Sequence, residues 1–322
     1  MGRNPYFSIV IPVYNREREI GRTLGSCLRQ TFGDFEILVV DDASSDDTAA
    51  VVKRAADSRT ILLRHTQNRG VCAARNTGVR AARGEWVLFL DSDDEYLENA
   101  LGTIFARTFR CRGDVDRLGF MYRLDTGGLS PFPPPQEGEL LDYEAYLEWS
   151  ERVIRSDFHN CIRRRTFEKV MLPEGRAYED IYHLDFAKAF RTELVPLVVA
   201  EIHSDASNRC ANLPVETQTA KALGEARDGA RTIERLLASH GAALRKFAPR
   251  RFEAYCRMRV SYHLLAGNTG LGIRLAWKHL ARFPRSSLSW IIPAIAIFGP
   301  AALARAQAYA RRRHAVVQRV HP

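Results

Sequence analysis

The sequence predicts an α/β fold: a mostly parallel central sheet flanked by helices, followed by a C-terminal helical extension. Three observations carry this expectation. Short apolar runs rich in β-branched residues recur at 7–13, 35–42, 60–65 and 85–90, and each of the first three leads into a stretch with helical spacing. Strands alternating with helices imply right-handed crossovers, which lay the strands parallel and cover both faces of the sheet. From about residue 216 onward the pattern changes to helices alone.

Each element follows from its residues. FSIVIPV (7–13) reads as a buried strand, and Ile20, Leu24, Cys27 and Leu28 give 17–31 a helical stripe. FEILVVDD (35–42) is the second strand, with a helix over 46–56; TILLRH (60–65) is the third, with a helix near 71–82; EWVLFL (85–90) is the fourth. The Gly and Pro punctuation of 125–140 marks a loop or hairpin tip, and 142–155 has helical character. Ile181, Leu184, Phe186 and Phe190 place a helix over 178–192, and ELVPLVVAEIH follows as a strand. The chain has no internal repeat.

With 322 residues, 46% hydrophobic and 26% charged, the chain is long enough for one large or two ordinary domains. Six dispersed cysteines form no CxxC pair, so the spacing suggests neither a zinc framework nor a disulfide scaffold and fits a reducing cytoplasm. The N-terminus shows no cleavable leader pattern, so secretion is not expected. The net charge of +9 is polarised: eleven Lys and Arg but no Asp or Glu follow Glu253, so 254–322 carries +11 and the preceding residues −2. The partner of the basic region need not be the partner of the catalytic one.

Ligands of such sheets bind beyond the carboxyl ends of the strands. That rule predicts that PVYNRE, DDASSDD and DSDD converge on one crevice. Asp46 reads as a helix cap. Asp42 reads either as structural or as a carboxylate facing the cleft, able to accept the imide N–H of a uracil ring. Arg69, Arg75 and Arg80, with Asn68 and Asn76 near a helix start, make an anion site suited to a diphosphate or else a solvated face. Asp91 and Asp93, two apart at the end of an apolar strand, mark either a turn or a site for a divalent ion; Mg²⁺ and Mn²⁺ share oxygen ligands between carboxylates, water and phosphates. Asp94 reads as a cap or as a group supporting the others.

These motifs, FSIVIPVYNRE, FEILVVDDASSDDT, NRGVCAARNTGVRAARGEWVLFLDSDDEY and YEDIYHLDFA, resemble in order those of family 2 glycosyltransferases of the GT-A fold. The resemblance is close over 7–97, looser over 157–203 and absent from the C-terminal third. It implies a catalytic domain over 1–213, with a nucleotide-binding half of about 1–97 and an acceptor half of about 98–213, then a helical extension over 214–284. It implies that Pro12, Val13 and Tyr14 line the nucleotide base and Asp42 binds it, that Arg75 lies near the diphosphate, and that Ser92 and Asp91 belong to the nucleotide-sugar site. Asp93 would ligate Mn²⁺ or Mg²⁺, with Asp91 beside it. Asp180 would be the general base and Glu179 would shape the acceptor site; the alternative for this pair is an acidic first helical turn. His203 is either a further metal ligand or a surface histidine.

The implied reaction is a metal-dependent, inverting, non-processive transfer of a sugar from a nucleotide-diphosphate donor, UDP-linked, to a hydroxyl of a glycan or lipid-linked acceptor in cell-surface polysaccharide synthesis. Processive relatives carry QxxRW and several membrane spans, and this sequence has neither. Two alternatives share the sheet. Nucleotidyltransfer expects a GxGxR segment where PVYNRERE stands, and a non-catalytic binding protein expects loss of Asp93 or Asp180, which are present. The tail 285–322 is a possible membrane anchor: 286–304 is uncharged and flanked by arginines, which suits an anionic cytoplasmic leaflet or, alternatively, a buried helix pair. The expected location is therefore cytoplasmic, peripheral at the inner face of the plasma membrane. Nucleic acid is not an expected partner, since the basic region lacks aromatic interleaving and any recognised module.

Overall fold

The computed structural model describes residues 4–154, 156–173, 179–204 and 215–284, with 301 and 303–305. The tail expectation over 286–304 therefore falls almost wholly outside the described residues. The chain divides into two compact units. The first comprises Met1–Gly175 and Tyr182–Ala206, the second Arg176–Ile181 and Ser207–Pro322.

The first unit is built on a ten-stranded sheet. Its opening half alternates β1 (Phe7–Val13), α1 (Ile20–Leu28), β2 (Phe35–Asp41), α2 (Thr48–Ala55), β3 (Thr60–Arg64), α3 (Val71–Ala81) and β4 (Trp86–Phe89). After it come β5 (Glu95–Tyr96), α4 (Ala100–Arg110), β6 (Arg117–Leu124), β7 (Leu129–Ser130), β8 (Glu139–Leu141), α5 (Tyr143–Arg152), β9 (His159–Arg163), a 3-10 turn at Arg164–Glu168, α6 (Asp180–Ala189) and β10 (Thr192–Ile202). The strand order is β3-β2-β1-β4-β9-β6-β10-β5, with β7 on β6 and β8 on β10.

The sheet is parallel across β3-β2-β1-β4 and between β6 and β10, whereas β9 runs antiparallel between β4 and β6, and β5, β7 and β8 pair antiparallel at the far side. The mostly parallel expectation thus holds for the first half and gives way to a mixed sheet in the second. The physical reason is the Gly- and Pro-rich stretch: β6 and β7 form a hairpin there, and short antiparallel returns replace helical crossovers.

Every residue of β1 and β2 is buried, because helices cover both faces. Phe7, Ile9, Ile11 and Val13 point into a core shared with Ile20, Leu24 and Val52 of α1 and α2 and Leu101 and Ile104 of α4. Val10 points to the opposite face, where α3 and α6 supply Val79, Tyr182 and Phe186. Gly78 lets α3 approach β1, since a Cβ there would come within 2.3 Å of the Val10 side chain. Two buried polar side chains of these strands satisfy each other: Ser8 Oγ donates to Glu36 at 2.7 Å, and Glu36 also accepts from Arg83 N and Nε at 2.7 and 2.9 Å.

Among its described residues the second unit carries helices α7 (Val215–Phe247), α8 (Pro249–Leu265) and α9 (Thr269–Arg282). Ala226, Val260, Leu264, Leu265 and Ala276 form its apolar centre, together with Leu303 and Ala304. Among the described residues, no helix is long and apolar enough to cross a membrane.

Candidate active site

The parallel register brings the ends of β1, β2, β3 and β4 to one edge: Val13 pairs with Asp41, Asp41 with Arg64, and Leu90 N donates to Val10 O at 3.1 Å. The loops that leave this edge are stitched together. Asn15, with φ 51, donates its N–H to Ser44 Oγ at 2.9 Å and accepts from Ser45 N at 2.9 Å, while Arg16 N donates to Thr48 Oγ1 at 2.8 Å. Asp46 accepts from Thr48 N at 3.1 Å and from Glu17 N at 3.2 Å, so it ties the first loop to the start of α2.

Pro12 and Val13 are buried at the end of β1, and Tyr14 emerges 43% exposed. Asp42 is buried, and both its oxygens are engaged. Oδ1 lies 2.7 Å from His65 Nδ1 and accepts from Arg69 N at 2.9 Å; Oδ2 accepts from Gly70 N at 2.7 Å. Gly70 has φ 88 and ψ 162, a conformation costly for any side-chain-bearing residue, and it starts α3. His65 Nε2 meets Thr77 Oγ1 at 2.9 Å, extending the network into α3. Asp42 thus fixes the loop that presents the N-terminus of α3, a role in folding that its position in the sequence does not reveal.

Arg75, on α3, donates to Asp91 Oδ1 at 2.8 Å, and its guanidinium lies over Phe89. Asp91 keeps a side chain 48% exposed, whereas Ser92, Asp93 and Asp94 are buried. Two arginines of the first loop and α1 reach Asp93: Arg22 donates to its carbonyl oxygen at 2.8 Å, and the Arg16 guanidinium stands 3.7 Å from its carboxylate. His203, at the end of β10, donates its backbone N–H to Asp94 Oδ1 at 3.1 Å and sets Nε2 2.9 Å from Glu95. Glu95 also pairs with Arg22 at 3.4 Å.

The donor set suits a hard divalent ion. Asp91 and Asp93 offer carboxylate oxygens at one strand end, with Asp91 accessible. Among the described residues, no three or more His, Cys, Asp and Glu side chains form a metal cage. An ion held here would therefore take much of its shell from phosphates and water.

Beneath the Asp91 loop, His159 Nε2 meets Tyr96 OH at 3.0 Å. Burial pushes the His159 pKa down to about 4, with the Asp91 charge acting in the opposite direction, and burial raises the Tyr96 phenol. The pair is a neutral, buried floor under the acidic loop.

Asp180 begins α6 and groups with the second unit. Tyr255 OH donates to its Oδ2 at 2.8 Å, Arg251 Nη2 reaches the same oxygen at 3.3 Å, and Arg251 also donates to Tyr255 OH at 2.7 Å. Glu179 is partly buried beside it. Arg16, Arg22, His65, His159, Arg251 and Tyr255 were not among the residues the sequence singled out. Arg16 and Arg22 stand within or next to the PVYNRE loop, a usable signal, but nothing in the sequence connects Tyr255 with Asp180 across 75 positions.

Residues 8–116 match the model of glycosyl transferase family 2. The match covers 109 of the 322 residues. The matched residues contain the edge just described, from β1 through the Asp91–Asp94 loop. The chain is 44% identical over 115 residues to the Escherichia coli UDP-Glc:alpha-D-GlcNAc-diphosphoundecaprenol beta-1,3-glucosyltransferase WfgD, covering 36% of this chain and 44% of that protein. It is 34% identical over 172 residues to the succinoglycan biosynthesis protein ExoO of Rhizobium meliloti (strain 1021), covering 52% and 49%. The matches therefore span less than half the length of these two curated relatives.

Similarity of fold extends further than similarity of sequence. S. aureus TarS 1–349, solved with UDP-GlcNAc, superposes with a TM-score of 0.58 at 18% identity, covering 87% of this chain and 93% of that one. The mannosyltransferase PcManGT of Pyrobaculum calidifontis, solved with GDP-Man and Mn²⁺, gives 0.52 at 18% identity, covering 94% and 86%. The mixed sheet of the first unit is the GT-A fold these structures share.

Proposed function

We propose that the protein is a metal-dependent, inverting glycosyltransferase that moves one sugar at a time from a nucleotide-diphosphate donor, of the UDP class, to a hydroxyl of a lipid-linked or polysaccharide acceptor. The observation that carries this reading is the Asp91–Asp93 loop at the end of β4, with Arg75 and Arg16 beside it, inside the glycosyl transferase domain. Relatives acting on a diphosphoundecaprenol-linked sugar and in succinoglycan biosynthesis support the acceptor class. Structures solved with UDP-GlcNAc and with GDP-Man and Mn²⁺ support the donor and the cation.

Tyr14, exposed after the buried Pro12 and Val13, stacks on the base. Asp42 shapes the base site by holding Arg69 and Gly70, and it meets the base only at the edge its three partners leave. Arg75 and the start of α3 face the diphosphate, an arrangement that favours anions. Ser92 and Asp91 contact the sugar-nucleotide. Asp93 and Asp91 would hold Mn²⁺ or Mg²⁺, which supplies Lewis-acid neutralisation of the departing diphosphate. His203, which lies beside Asp94 and Glu95, would join that set.

Asp180 takes the proton of the acceptor hydroxyl as its oxygen attacks the anomeric carbon, and Glu179 orients the acceptor. The bond from that carbon to the diphosphate oxygen breaks in the same displacement, so the anomeric configuration inverts and the nucleotide diphosphate leaves. The tail 285–322 is proposed to bring the enzyme to the anionic cytoplasmic face of the membrane, where a lipid-linked acceptor resides. Its own residues lie almost wholly outside those described.

The test is a panel of nucleotide sugars with and without Mn²⁺ or Mg²⁺, scored by nucleotide release and calorimetric binding. A UDP-sugar that binds and turns over only with metal is the expected result. Failure of every nucleotide sugar to bind in a metal-dependent way would sink the reading.

A further inference from the structure

Helix α9 carries a face that stays exposed among the described residues. One side, Gly272, Ala276, His279 and Leu280, is buried against α8, and a Cβ at Gly272 would come within 2.4 Å of Leu264. The other side holds Trp277 at 59% exposure and Ile273 at 39%, one turn apart on the helix. Arg274 and Lys278, also one turn apart and exposed, form the adjoining ridge. The two described tryptophans of the first unit, Trp86 and Trp149, are buried, which makes the exposure of Trp277 the exception.

The charges on this face are available to a partner. Arg257 and Arg259 of α8 are paired with Glu253 and Glu234. Among the described residues, neither Arg274 nor Lys278 pairs with a carboxylate, and no acidic residue follows Glu253 in the sequence. An uncompensated basic ridge beside an aromatic and an aliphatic side chain matches a bilayer interface: cations meet anionic headgroups, while Trp and Ile enter the boundary with the acyl chains.

We infer that the outer face of α9, formed by Ile273, Arg274, Trp277 and Lys278, docks the protein on an anionic lipid surface. A second copy docking by the same face would bring like charge to it. A nucleic acid has no complement for the aliphatic Ile273. The surface is distinct from the tail beyond residue 285, and no step of the transferase reading enters the inference.

The experiment is sedimentation of the full chain with vesicles of phosphatidylglycerol and phosphatidylcholine, against pure phosphatidylcholine. The wild type is expected to sediment with the anionic vesicles and to be released as salt rises, since each basic residue near such a surface contributes through a field that ions screen. Arg274→Glu with Lys278→Glu lowers the partition coefficient by about tenfold or more. Trp277→Ala with Ile273→Ser weakens binding to both vesicle types. Lys53→Glu with Arg54→Glu, an equal charge change on exposed residues of α2, leaves partition within about twofold, which separates a docking face from net charge. Far-UV circular dichroism and thermal unfolding confirm that each variant is folded.

Three results would overturn the inference. The wild type could fail to sediment with anionic vesicles, or the α9 variants could sediment as the wild type does. Binding could also vanish with Arg311→Glu, Arg312→Glu and Arg313→Glu in the tail while surviving the α9 changes. Each of these can occur with the UDP-sugar reading intact.

Discussion

Replacing Asp42 by Asn distinguishes a residue that contacts the base from one that holds the site's shape. The carboxylate accepts from His65 and Arg69 on one oxygen and from Gly70 on the other, at 2.7, 2.9 and 2.7 Å. An amide keeps one of these oxygens and converts the other into an NH₂ donor. If the oxygen stays with His65 and Arg69, the NH₂ confronts the Gly70 N–H, donor against donor, in a buried position. Losing one charge-assisted hydrogen bond and stranding its donor costs on the order of 3 kcal/mol. In a unit of the size spanned by Met1–Gly175 and Tyr182–Ala206, that lowers the melting temperature by about 6–12 °C. Thermal unfolding followed by circular dichroism, with UDP binding measured calorimetrically below the transition, reads both effects. A melting temperature within about 1 °C of wild type, together with lost UDP binding, would refute the clamp and leave Asp42 as a direct ligand of the base.

Four further outcomes are expected. Asp93→Asn removes the metal-dependent part of UDP affinity, about tenfold or more, whereas Asp94→Asn, one position on, changes it little; equal losses in calorimetry with and without Mn²⁺ would contradict the assignment. Asp180→Asn lowers transfer to the acceptor by roughly 100-fold or more with donor affinity intact. Tyr255→Phe, which removes one donor to Asp180 Oδ2, lowers kcat with little change in donor KM; a loss confined to donor KM would place Asp180 in the donor site. His159 gives the fold a pH dependence of known sign: its folded pKa of about 4 lies below the ordinary 6.5, so its neutral form stabilises fully above pH 6.5 and that stability is lost as pH falls towards 4. Between pH 6.5 and 5 the loss is about 2 kcal/mol, and His159→Gln should flatten the melting temperature over that interval; an unchanged slope would remove His159 as its source.

The alternation of apolar runs and helical stripes specified β1 to β4, α1 to α3 and their parallel order, because a strand buried on both faces needs a continuous apolar run and a crossover needs a covering helix. It also implied that the loops of one edge meet, and the acidic and basic residues there could be picked out from spacing alone. The antiparallel insertion of β9 was not legible, since pairing direction depends on which strand edges remain open after the first half has folded, and short Gly- and Pro-rich connections record that only weakly. The role of Asp42 was hidden for a related reason: a carboxylate facing a cleft and one clamping a loop have the same sequence, and only the positions of Arg69 and Gly70 separate them. The hydrogen bonds of Tyr255 and Arg251 to Asp180, and the bare face of α9, belong wholly to tertiary structure. The sequence by itself determined which residue types line one edge of a sheet, because periodicity is local. Which side chains hold those residues in place, and which helix face is left for a partner, was decided by packing between segments far apart in the chain, and local spacing does not encode such contacts.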